Sequence, residues 1–338
     1  MGDYHLHLHR HGRAHELDPP PGVYPAGHIE AYVEAAAARG VHELGFTEHL
    51  YRCEDAAGVL GRFWEREPVA WLADQTERFL AEDRTLNLER YVETIVDAQE
   101  RGLPVLLGLE VDFFPETIDA VVEFLAPYPW DFLIGSVHWV GGWAIDHEDA
   151  VAAFDERGVD RAYEQFFALE AQLAASGAVD ALAHVDVVKK HGHRPPRERT
   201  DLYDEVVTAA AGSGVAVEVS SGGLRNPAAE VYPAPALLSR FYDAGVPITL
   251  ASDGHSPHQA AWGRDEVVAA ARAAGYTERS QFRKRRRTQV PIESRPEGPS
   301  DLEAGGDGGA GRPAATVDDI GPEGDGEHGE HYQQRDDR

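Results

Sequence analysis

The sequence predicts an α/β protein built on a parallel sheet, and three observations support this fold class. Seven short apolar, β-branched runs alternate with longer segments of helical periodicity over residues 1–275. Glycine follows several of the helical segments, at the position where helices typically end. His, Asp or Glu stands at the carboxyl end of six of the seven strand segments. The alternation indicates βα units and a parallel sheet, either open or closed into a barrel.

The individual elements follow from the apolar periodicity. The predicted strands, in chain order, are Asp3–His7, His42–Thr47, Pro104–Glu110, Asp131–Val137, Val179–His184, Val215–Val219 and Pro247–Ala251. The predicted helices are Ile29–Arg39, Leu88–Arg101, Thr117–Leu125, Arg161–Ala175, Leu202–Ala211, Ala236–Ala244 and Gln259–Ala274. Two inserts, Pro19–Pro25 and Cys53–Thr85, interrupt the pattern after strand ends, on the side where such folds place their sites.

Composition divides the chain into a body and a tail. The 338 residues include 31 Lys and Arg against 59 Asp and Glu, and 42% hydrophobic residues can supply a sizeable core. Residues 296–338 hold 12 acidic residues, 3 Arg and 10 Gly, and such a segment buries too little apolar surface to offset its ordering entropy. We therefore predict one domain over residues 1–290 and a disordered acidic, glycine-rich tail over residues 291–338. The basic run Arg283–Arg287 is predicted to be a solvated edge of the domain.

The net charge of −28 narrows the possible partners. The acidic composition argues against a broad nucleic-acid-binding surface, because phosphate contacts need Lys and Arg. It argues against binding to an anionic membrane surface for the same reason. A small anionic metabolite is compatible, because a few local cations can reverse the field within one cleft. The chain has one cysteine, no apolar stretch of 18 residues and no signal-like start, so we expect a soluble, cytoplasmic protein. No sequence feature indicates an oligomeric state.

The residues at the strand ends form a constellation typical of a metal site. His5 and His7 are separated by one residue, as are Asp253 and His255, and such pairs point to the same face of an extended strand. Carboxyl ends of parallel strands share one rim, so the side chains should converge. The candidate ligands are His5, His7, His49, Glu110, His138, His184, Asp253 and His255. Imidazole and carboxylate ligands without clustered Cys suit Zn, Mn or Fe, and this number of ligands predicts two or three ions sharing a carboxylate.

These segments resemble the motifs of the polymerase-and-histidinol-phosphatase (PHP) metallohydrolases. The matching segments are Asp3-Tyr4-His5-Leu6-His7, Gly45-Phe46-Thr47-Glu48-His49, Gly108-Leu109-Glu110, Gly135-Ser136-Val137-His138, Ala183-His184 and Ser252-Asp253-Gly254-His255. The matching segments occur in the same order as the family's motifs, over residues 1–275. Two further segments, Val185–Lys190 and Glu218–Arg225, are most similar to the PHP-type histidinol-phosphatases.

The resemblance implies a distorted (β/α)7 barrel with a trinuclear site. One ion would take His5, His7, Glu110 and Asp253; a second would take His49, His255 and a residue after the first His pair; a third would share Glu110 and use His138 and His184. The residue after the first pair departs from the family pattern. We predict His11, while His9 and His15 remain open, and Arg13 at the ungapped position would be no ligand.

The implied reaction is metal-dependent hydrolysis of a phosphate monoester, with L-histidinol phosphate giving L-histidinol and phosphate in histidine biosynthesis. Glu110, Asp253 and His255 are the predicted catalytic residues. Arg225 is predicted to bind phosphate oxygens. Lys189, or else Lys190, is predicted to assist, and Glu218 to bind the substrate amino group or to orient a ligand.

Three alternatives stay open at this point. A PHP phosphoesterase could act on nucleotides or other small phosphate esters. An amidohydrolase-like hydrolase also starts with a His pair and ends in a strand Asp, but it would lack the Gly108-Leu109-Glu110 bridge. A metal-dependent binding domain without catalysis is disfavoured by the intact ligand set.

Overall fold

The fold is that of a computed structural model, which describes residues 1–11 and 19–292. The tail predicted from residue 291 therefore lies almost wholly outside the described residues. The last strand reaches Pro291, one residue past the predicted domain boundary.

The strands confirm the seven predicted segments and add two hairpins. They are β1 (Gly2–Leu6), β2 (Glu43–Phe46), β3 (Val105–Leu107), β4 (Glu110–Asp112), β5 (Ile134–Ser136), β6 (Trp139–Val140), β7 (Trp143–Ala144), β8 (Ala181–Leu182), β9 (Ala216–Ser220), β10 (Ile248–Ala251), β11 (Glu278–Arg283) and β12 (Arg286–Pro291). The predicted strand Pro104–Glu110 divides into β3 and β4 around Gly108 and Leu109, so Glu110 begins a strand of its own.

The helices also follow the prediction, with three additions among the described residues: the 14-residue helix Ala70–Asp83 and the short helices Ala57–Leu60 and Ala153–Arg157. In chain order the helices are α1 (His28–Ala37), α2 (Ala57–Leu60), α3 (Ala70–Asp83), α4 (Leu88–Glu100), α5 (Ile118–Leu125), α6 (Ala153–Arg157), α7 (Val159–Ser176), α8 (Thr200–Ser213), α9 (Pro235–Asp243) and α10 (Arg264–Ala274). The predicted start of the last helix at Gln259 is wrong, because Gly263 adopts a left-handed φ of 67° directly before α10. The insert Cys53–Thr85 contains α2 and α3. Among residues 1–11 and 19–292, no helix combines the length and the apolar character needed to cross a membrane.

Parallel pairing joins the central strands into two sheets, in the orders β1-β2-β3 and β10-β9-β8-β5-β4. Single bridges connect the two sheets at both edges, between Leu6 and Gly254 and between His49 and Glu110. The His7 amide donates to the Gly254 carbonyl at 2.8 Å. Asp3 ties the first edge further, because its carboxylate accepts from the Ser252 amide at 2.9 Å. Helices pack outside, with α7 against α8 and α8 against α9.

A separate buried cluster joins strands of the two sheets and consists of three aromatic residues, Leu106, Ile134 and three alanines. Phe132 stacks on Phe282 with 5.5 Å between ring centroids, and Tyr4 lies 5.7 Å from Phe132. A Cβ at Gly45 or at Gly108 would approach the Phe132 ring to 2.5 or 2.6 Å. Those two glycines are therefore required by the close approach of the aromatic ring to the backbone.

The basic run forms the turn of the β11–β12 hairpin, which the sequence analysis did not predict. Arg283 pairs with Glu43 and Arg285 with Asp180. All five residues of the run are exposed, as predicted for a solvated edge of the domain, and two of its cations also pair with acidic residues of the body.

Candidate metal and substrate site

The predicted ligands converge at the carboxyl ends of the parallel strands. Each comes from the end of a strand or from the loop after it, and the fold brings together residues separated by up to 250 positions in sequence. They are His5, His7, His11, His49, Glu110, His138, His184, Asp253 and His255.

Glu110 stands at the centre of this cluster and is fully buried. Its Oε2 atom lies 3.1 Å from His5 Nε2 and 2.8 Å from His49 Nδ1. Its Oε1 atom lies 3.0 Å from His184 Nε2 and 3.3 Å from His138 Nε2. The two carboxylate oxygens therefore face two different sets of imidazoles, as expected of a carboxylate that two ions share.

A second group of imidazoles faces the open side of the cluster. His11 Nε2 lies 3.2 Å from His49 Nε2 and 3.0 Å from His255 Nε2. The His7 ring stacks on those of His49 and His255, with 4.2 Å between centroids in both cases. His7, His49 and His255 place one ligand atom each within 4.8 Å of one another. Asp253 Oδ1 lies 3.6 Å from the Nε2 atoms of both His5 and His7.

Buried carboxylates behind the cluster orient two of the imidazoles. His5 Nδ1 and Glu218 Oε2 are 2.7 Å apart, and His138 Nδ1 and Asp112 Oδ1 are 2.8 Å apart. If each Nδ1–H donates to its carboxylate, the Nε2 lone pair of each ring points toward Glu110. Two further buried carboxylates lie near the cluster: Glu48 Oε2 is 3.9 Å from His7 Nδ1, whereas Asp186 pairs with Lys189.

Asp253 reaches the cluster through an unusual backbone conformation. Its φ of 53° lies in the left-handed region, which Asp tolerates better than most residues. Such conformations cost free energy and persist where the surrounding structure holds them. Arg225 holds this turn, because its Nη2 atom donates to the carbonyls of Ser252 and Asp253 at 2.9 and 2.7 Å.

The protonation states of Glu110, His49 and His255 suit metal coordination. Burial would raise the pKa of Glu110, but the surrounding imidazoles His49, His5 and His138 hold it well below its usual value. Burial, together with neighbouring imidazoles, lowers the pKa values of His49 and His255 well below the usual range. The carboxylate is thus charged and these two imidazoles are neutral, which are the forms that bind metal.

The contacts within the cluster fit divalent ions better than a hydrogen-bond network. His49 Nδ1 is buried and lacks a hydrogen-bond partner among the described residues, although Glu110 Oε2 is only 2.8 Å away. The His49 Nδ1 and Glu110 Oε2 atoms are close, but they are not aligned for a hydrogen bond. Two ligand atoms have this relation when both point toward one ion. Imidazole and carboxylate donors of this kind suit Zn and related divalent metals.

The structure describes two of the three histidines considered as the ligand that follows the first His pair, His9 and His11. His11 reaches the cluster. His9 is buried and faces away, with its Nε2 atom 3.2 Å from the Val23 carbonyl. His15 and Arg13 lie outside the described residues.

A cleft opens from the cluster toward solvent. A cup of about 260 Å³ lies directly over it and includes Arg225, Asp253 and His255 in its wall. A second space of about 380 Å³, bounded by Phe79 and Trp139, shares several wall residues with the cup. Together they offer a polar end near the cluster and a partly aromatic outer end.

The predicted substrate-binding residues differ in their placement. Arg225 lines the cup, stacks over Trp262 at 5.2 Å and has a buried Nη1 atom without a partner among the described residues. Glu218 is fully buried behind His5, so of its two predicted roles the geometry supports orientation of a ligand and not contact with substrate.

The prediction that Lys189 binds substrate is wrong. This lysine is buried, and its ammonium pairs with Asp186 at 2.7 Å and with Glu230 at 2.8 Å, away from the cleft. Lys190 lines the cup instead and lies 3.1 Å from Asp146.

Sequence reasoning missed three polar residues at or near the cleft. Asp146 lines the cup, and Asp83 and Tyr51 contact His11 at 3.2 and 3.1 Å. Asp146 and Tyr51 belong to no sequence motif that would have singled them out. Asp83 ends a helix whose apolar spacing in the insert was available as a signal.

This chain is similar to proteins of one known family. A family model for the PHP domain matches residues 24–222. A probable histidinol-phosphatase of Deinococcus radiodurans is 32% identical over 259 residues, covering 77% of this chain and 92% of that protein. The histidinol-phosphatase of Lactococcus lactis is 23% identical over 267 residues, covering 75% of this chain and 83% of that protein.

A solved structure has the same fold. The crystal structure of histidinol phosphate phosphatase from Lactococcus lactis, complexed with zinc, L-histidinol and phosphate, superposes with a TM-score of 0.65 at 21% identity. It covers 85% of this chain and 98% of that chain. With a family match over more than half of its length and a relative above 30% identity, this chain belongs to the PHP-domain family, in its histidinol-phosphatase branch.

Proposed function

We propose that this protein is a metal-dependent phosphatase that hydrolyses L-histidinol phosphate to L-histidinol and phosphate. The observation that carries the chemistry is the ring of imidazoles around the two oxygens of Glu110, open to a cup lined by Arg225 and Lys190. The substrate follows from the family branch, whose named members are histidinol-phosphatases.

We further propose the ligand sets of three ions and the closure of the two sheets into a distorted (β/α)7 barrel. His5, His7, Glu110 and Asp253 would hold one ion; His11, His49 and His255 a second; Glu110, His138 and His184 a third. The single bridges at both sheet edges and the buried cluster that joins the two sheets support the closed barrel. Zn is the metal that the donor set suits, with Mn and Fe as competitors in the metal analysis.

Bound divalent ions polarise phosphoryl oxygens and lower the pKa of a coordinated water to ~7. The protein residues supply the geometry around that chemistry. Glu110, Asp253 and His255 are the proposed catalytic residues. Asp253 and His255 line the cup, and the fully buried Glu110 would hold the ions beside which the phosphoryl group reacts. Glu218 and Asp112 keep His5 and His138 in one orientation.

Two cations are placed to bind the phosphoryl oxygens. The unpartnered Nη1 atom of Arg225 is available for a phosphate oxygen, while its Nη2 atom stays bound to the backbone. Burial alone would lower the pKa of Lys190, but the nearby Asp146 carboxylate outweighs this effect and raises it. The Lys190 ammonium group therefore stays charged. The organic part of the substrate would extend past them toward Phe79 and Trp139.

Phosphate release by the metal-reconstituted protein tests this assignment. L-histidinol phosphate is compared with nucleoside monophosphates and a generic aryl phosphate, and we expect the highest kcat/KM for L-histidinol phosphate. Equal rates on all three would refute the substrate and leave a general phosphatase. Absence of phosphate release from any of them, at full metal content, would refute the reaction class.

A further inference from the structure

The end of the insert helix α3 contacts the part of the chain that carries His11. Asp83, the last residue of this helix, is buried. Its Oδ2 atom lies 3.2 Å from His11 Nδ1 and accepts a hydrogen bond from the Tyr51 hydroxyl at 3.0 Å. The same oxygen forms an ion pair with Arg52 Nε at 3.2 Å. One carboxylate oxygen thus receives groups from two separate segments of the chain.

Arg52 extends this contact to the backbone before His11. Its side chain is fully buried and donates from Nη1 to the His9 carbonyl at 3.2 Å and from Nη2 to the Arg10 carbonyl at 3.1 Å. Asp83 and Arg52 therefore hold both the main chain that leads to His11 and the His11 ring itself.

The contact with Asp83 selects the nitrogen that His11 presents to the cleft. An Nδ1–H that donates to Asp83 leaves the Nε2 lone pair directed at the cluster. Nε2 is the atom that lies 3.2 Å from His49 Nε2 and 3.0 Å from His255 Nε2. His11 needs such support more than the other ligands, because its side chain is 41% exposed.

We propose that Asp83 is a positioning residue that fixes His11 as an Nε2 ligand and so sets the affinity of one metal position. This inference rests on the proposed role of His11. It implies that the insert helix, which lies outside the βα repeat, contributes to the metal centre without supplying a ligand.

Zinc affinity of the metal-stripped protein tests this proposal through competition with a chromogenic chelator. Asp83→Asn keeps the size of the side chain and one acceptor oxygen but removes the charge. We expect one zinc position to weaken by about 10- to 100-fold, as when the carboxylate behind a ligating His is lost, with the other positions unchanged. In a His11→Ala background, Asp83→Asn should have no further effect on zinc affinity.

Glu67→Gln is the matched control. Glu67 is also a buried acid beside α3, near the opposite end of the helix, and accepts from the Gly142 amide at 3.2 Å. It pairs with Arg157 and touches none of the proposed ligands. We expect this variant to lower the melting temperature without changing zinc affinity. If Asp83→Asn behaves in the same way as Glu67→Gln, the role of Asp83 is structural only and the proposal is refuted.

Two further outcomes separate this proposal from the proposed function. Weakened zinc binding in Asp83→Asn supports the positioning role even if the protein shows no phosphatase activity. Unchanged zinc binding in an active enzyme overturns the positioning role and leaves the function standing. Should Asp83→Asn fail to fold, Asp83→Glu retains the charge for Arg52 but displaces the carboxylate, and it should weaken the same zinc position; unchanged affinity there again refutes the proposal.

Discussion

Glu110 shows how one buried side chain can organise a site. A carboxylate that is fully buried would normally be protonated or paired with a cation. Here it is surrounded by imidazoles on both oxygens, at 2.8 to 3.3 Å for its contacts with His49, His5, His184 and His138. The surrounding imidazoles and any bound cations all interact with this one negative charge.

Replacement of Glu110 by Gln is expected to remove most of the activity. The amide keeps the volume but loses the charge and one acceptor, so metal content should fall and kcat/KM should decrease by more than about 100-fold. Metal analysis and phosphate release measure the two effects on one sample. Glu205→Gln, at an exposed position on α8, serves as the control. Wild-type activity together with wild-type metal content in Glu110→Gln would refute the bridging role.

Arg225 should contribute to substrate binding more than to metal binding. Arg225→Lys retains a positive charge but loses the planar fork whose Nη2 atom holds the Asp253 turn at the wall of the cup. We expect KM to rise by about 10-fold or more, with a smaller loss of metal content because the Asp253 turn loses part of its support. Steady-state kinetics beside metal analysis tests this, with Arg194→Lys at an exposed ion pair as the control. An unchanged KM would place the phosphate elsewhere in the cup.

Glu170 carries a stability cost that depends on pH. It is fully buried on α7, neither of its oxygens has a partner among the described residues, and burial raises its pKa well above the usual 4.5. The folded state therefore holds a proton that the unfolded chain releases near pH 4.5. The contribution of Glu170 to the free energy of unfolding is fully present below that pH. It falls as the pH rises toward the folded-state pKa, by up to about 1.4 kcal/mol per pH unit.

Glu170→Gln should remove this loss. Relative to wild type, the variant should gain free energy of unfolding between pH 5 and pH 8, measured by chemical denaturation of the metal-loaded protein. Glu205→Gln should show no such trend. A difference between Glu170→Gln and wild type that stays constant over this pH range would contradict the raised pKa.

At the scale of elements, the repeating part of the fold was predictable and the additions were not. The parallel strands are continuous apolar runs, because both faces of each are covered, and the outer helices carry an apolar stripe. The hairpin β11–β12 lacks both signals: its strands are mostly polar, and Phe282 is its one fully buried large hydrophobic residue. The order of the ligands was readable from strand ends, whereas Asp83 and Asp146 come from segments with no fixed relation to the repeat.

The hairpin is nevertheless expected to stabilise the whole domain. Phe282 packs between Tyr4 and Phe132 in the buried cluster that joins the two sheets, at 6.0 and 5.5 Å between ring centroids. Phe282→Ala should lower the free energy of unfolding by about 3–5 kcal/mol, through lost burial and the cavity left behind. Denaturation curves measure this, and Val122→Ala at an exposed apolar position is the control. A loss below about 1 kcal/mol would show that the hairpin is not coupled to the core.

At the scale of the whole molecule, the acidic charge and the proposed substrate are compatible. Of the formal charge of −28, −9 belongs to residues 296–338, and the carboxylates of the buried Glu110 and the partly exposed Asp253 face imidazoles and the proposed ions. Attraction of a phosphate would therefore come from the cup and not from the outer surface. The proposed ligands also join the two ends of the body, because His5 lies on β1 and His255 in the loop after β10, which contacts β1.

That arrangement makes metal binding part of global stability. Ligands from positions as distant as 5 and 255 come together only in the folded chain, so ions that bind the folded state stabilise it by mass action, by about 2.7 kcal/mol per site at a free concentration of 100 Kd. We expect chelation to lower the melting temperature and abolish phosphate release, and added Zn to restore both. Phe282→Ala should show the same increment with Zn, because the hairpin and the ligands are separate and their effects should add. A melting temperature that is independent of Zn concentration would contradict a site assembled by folding.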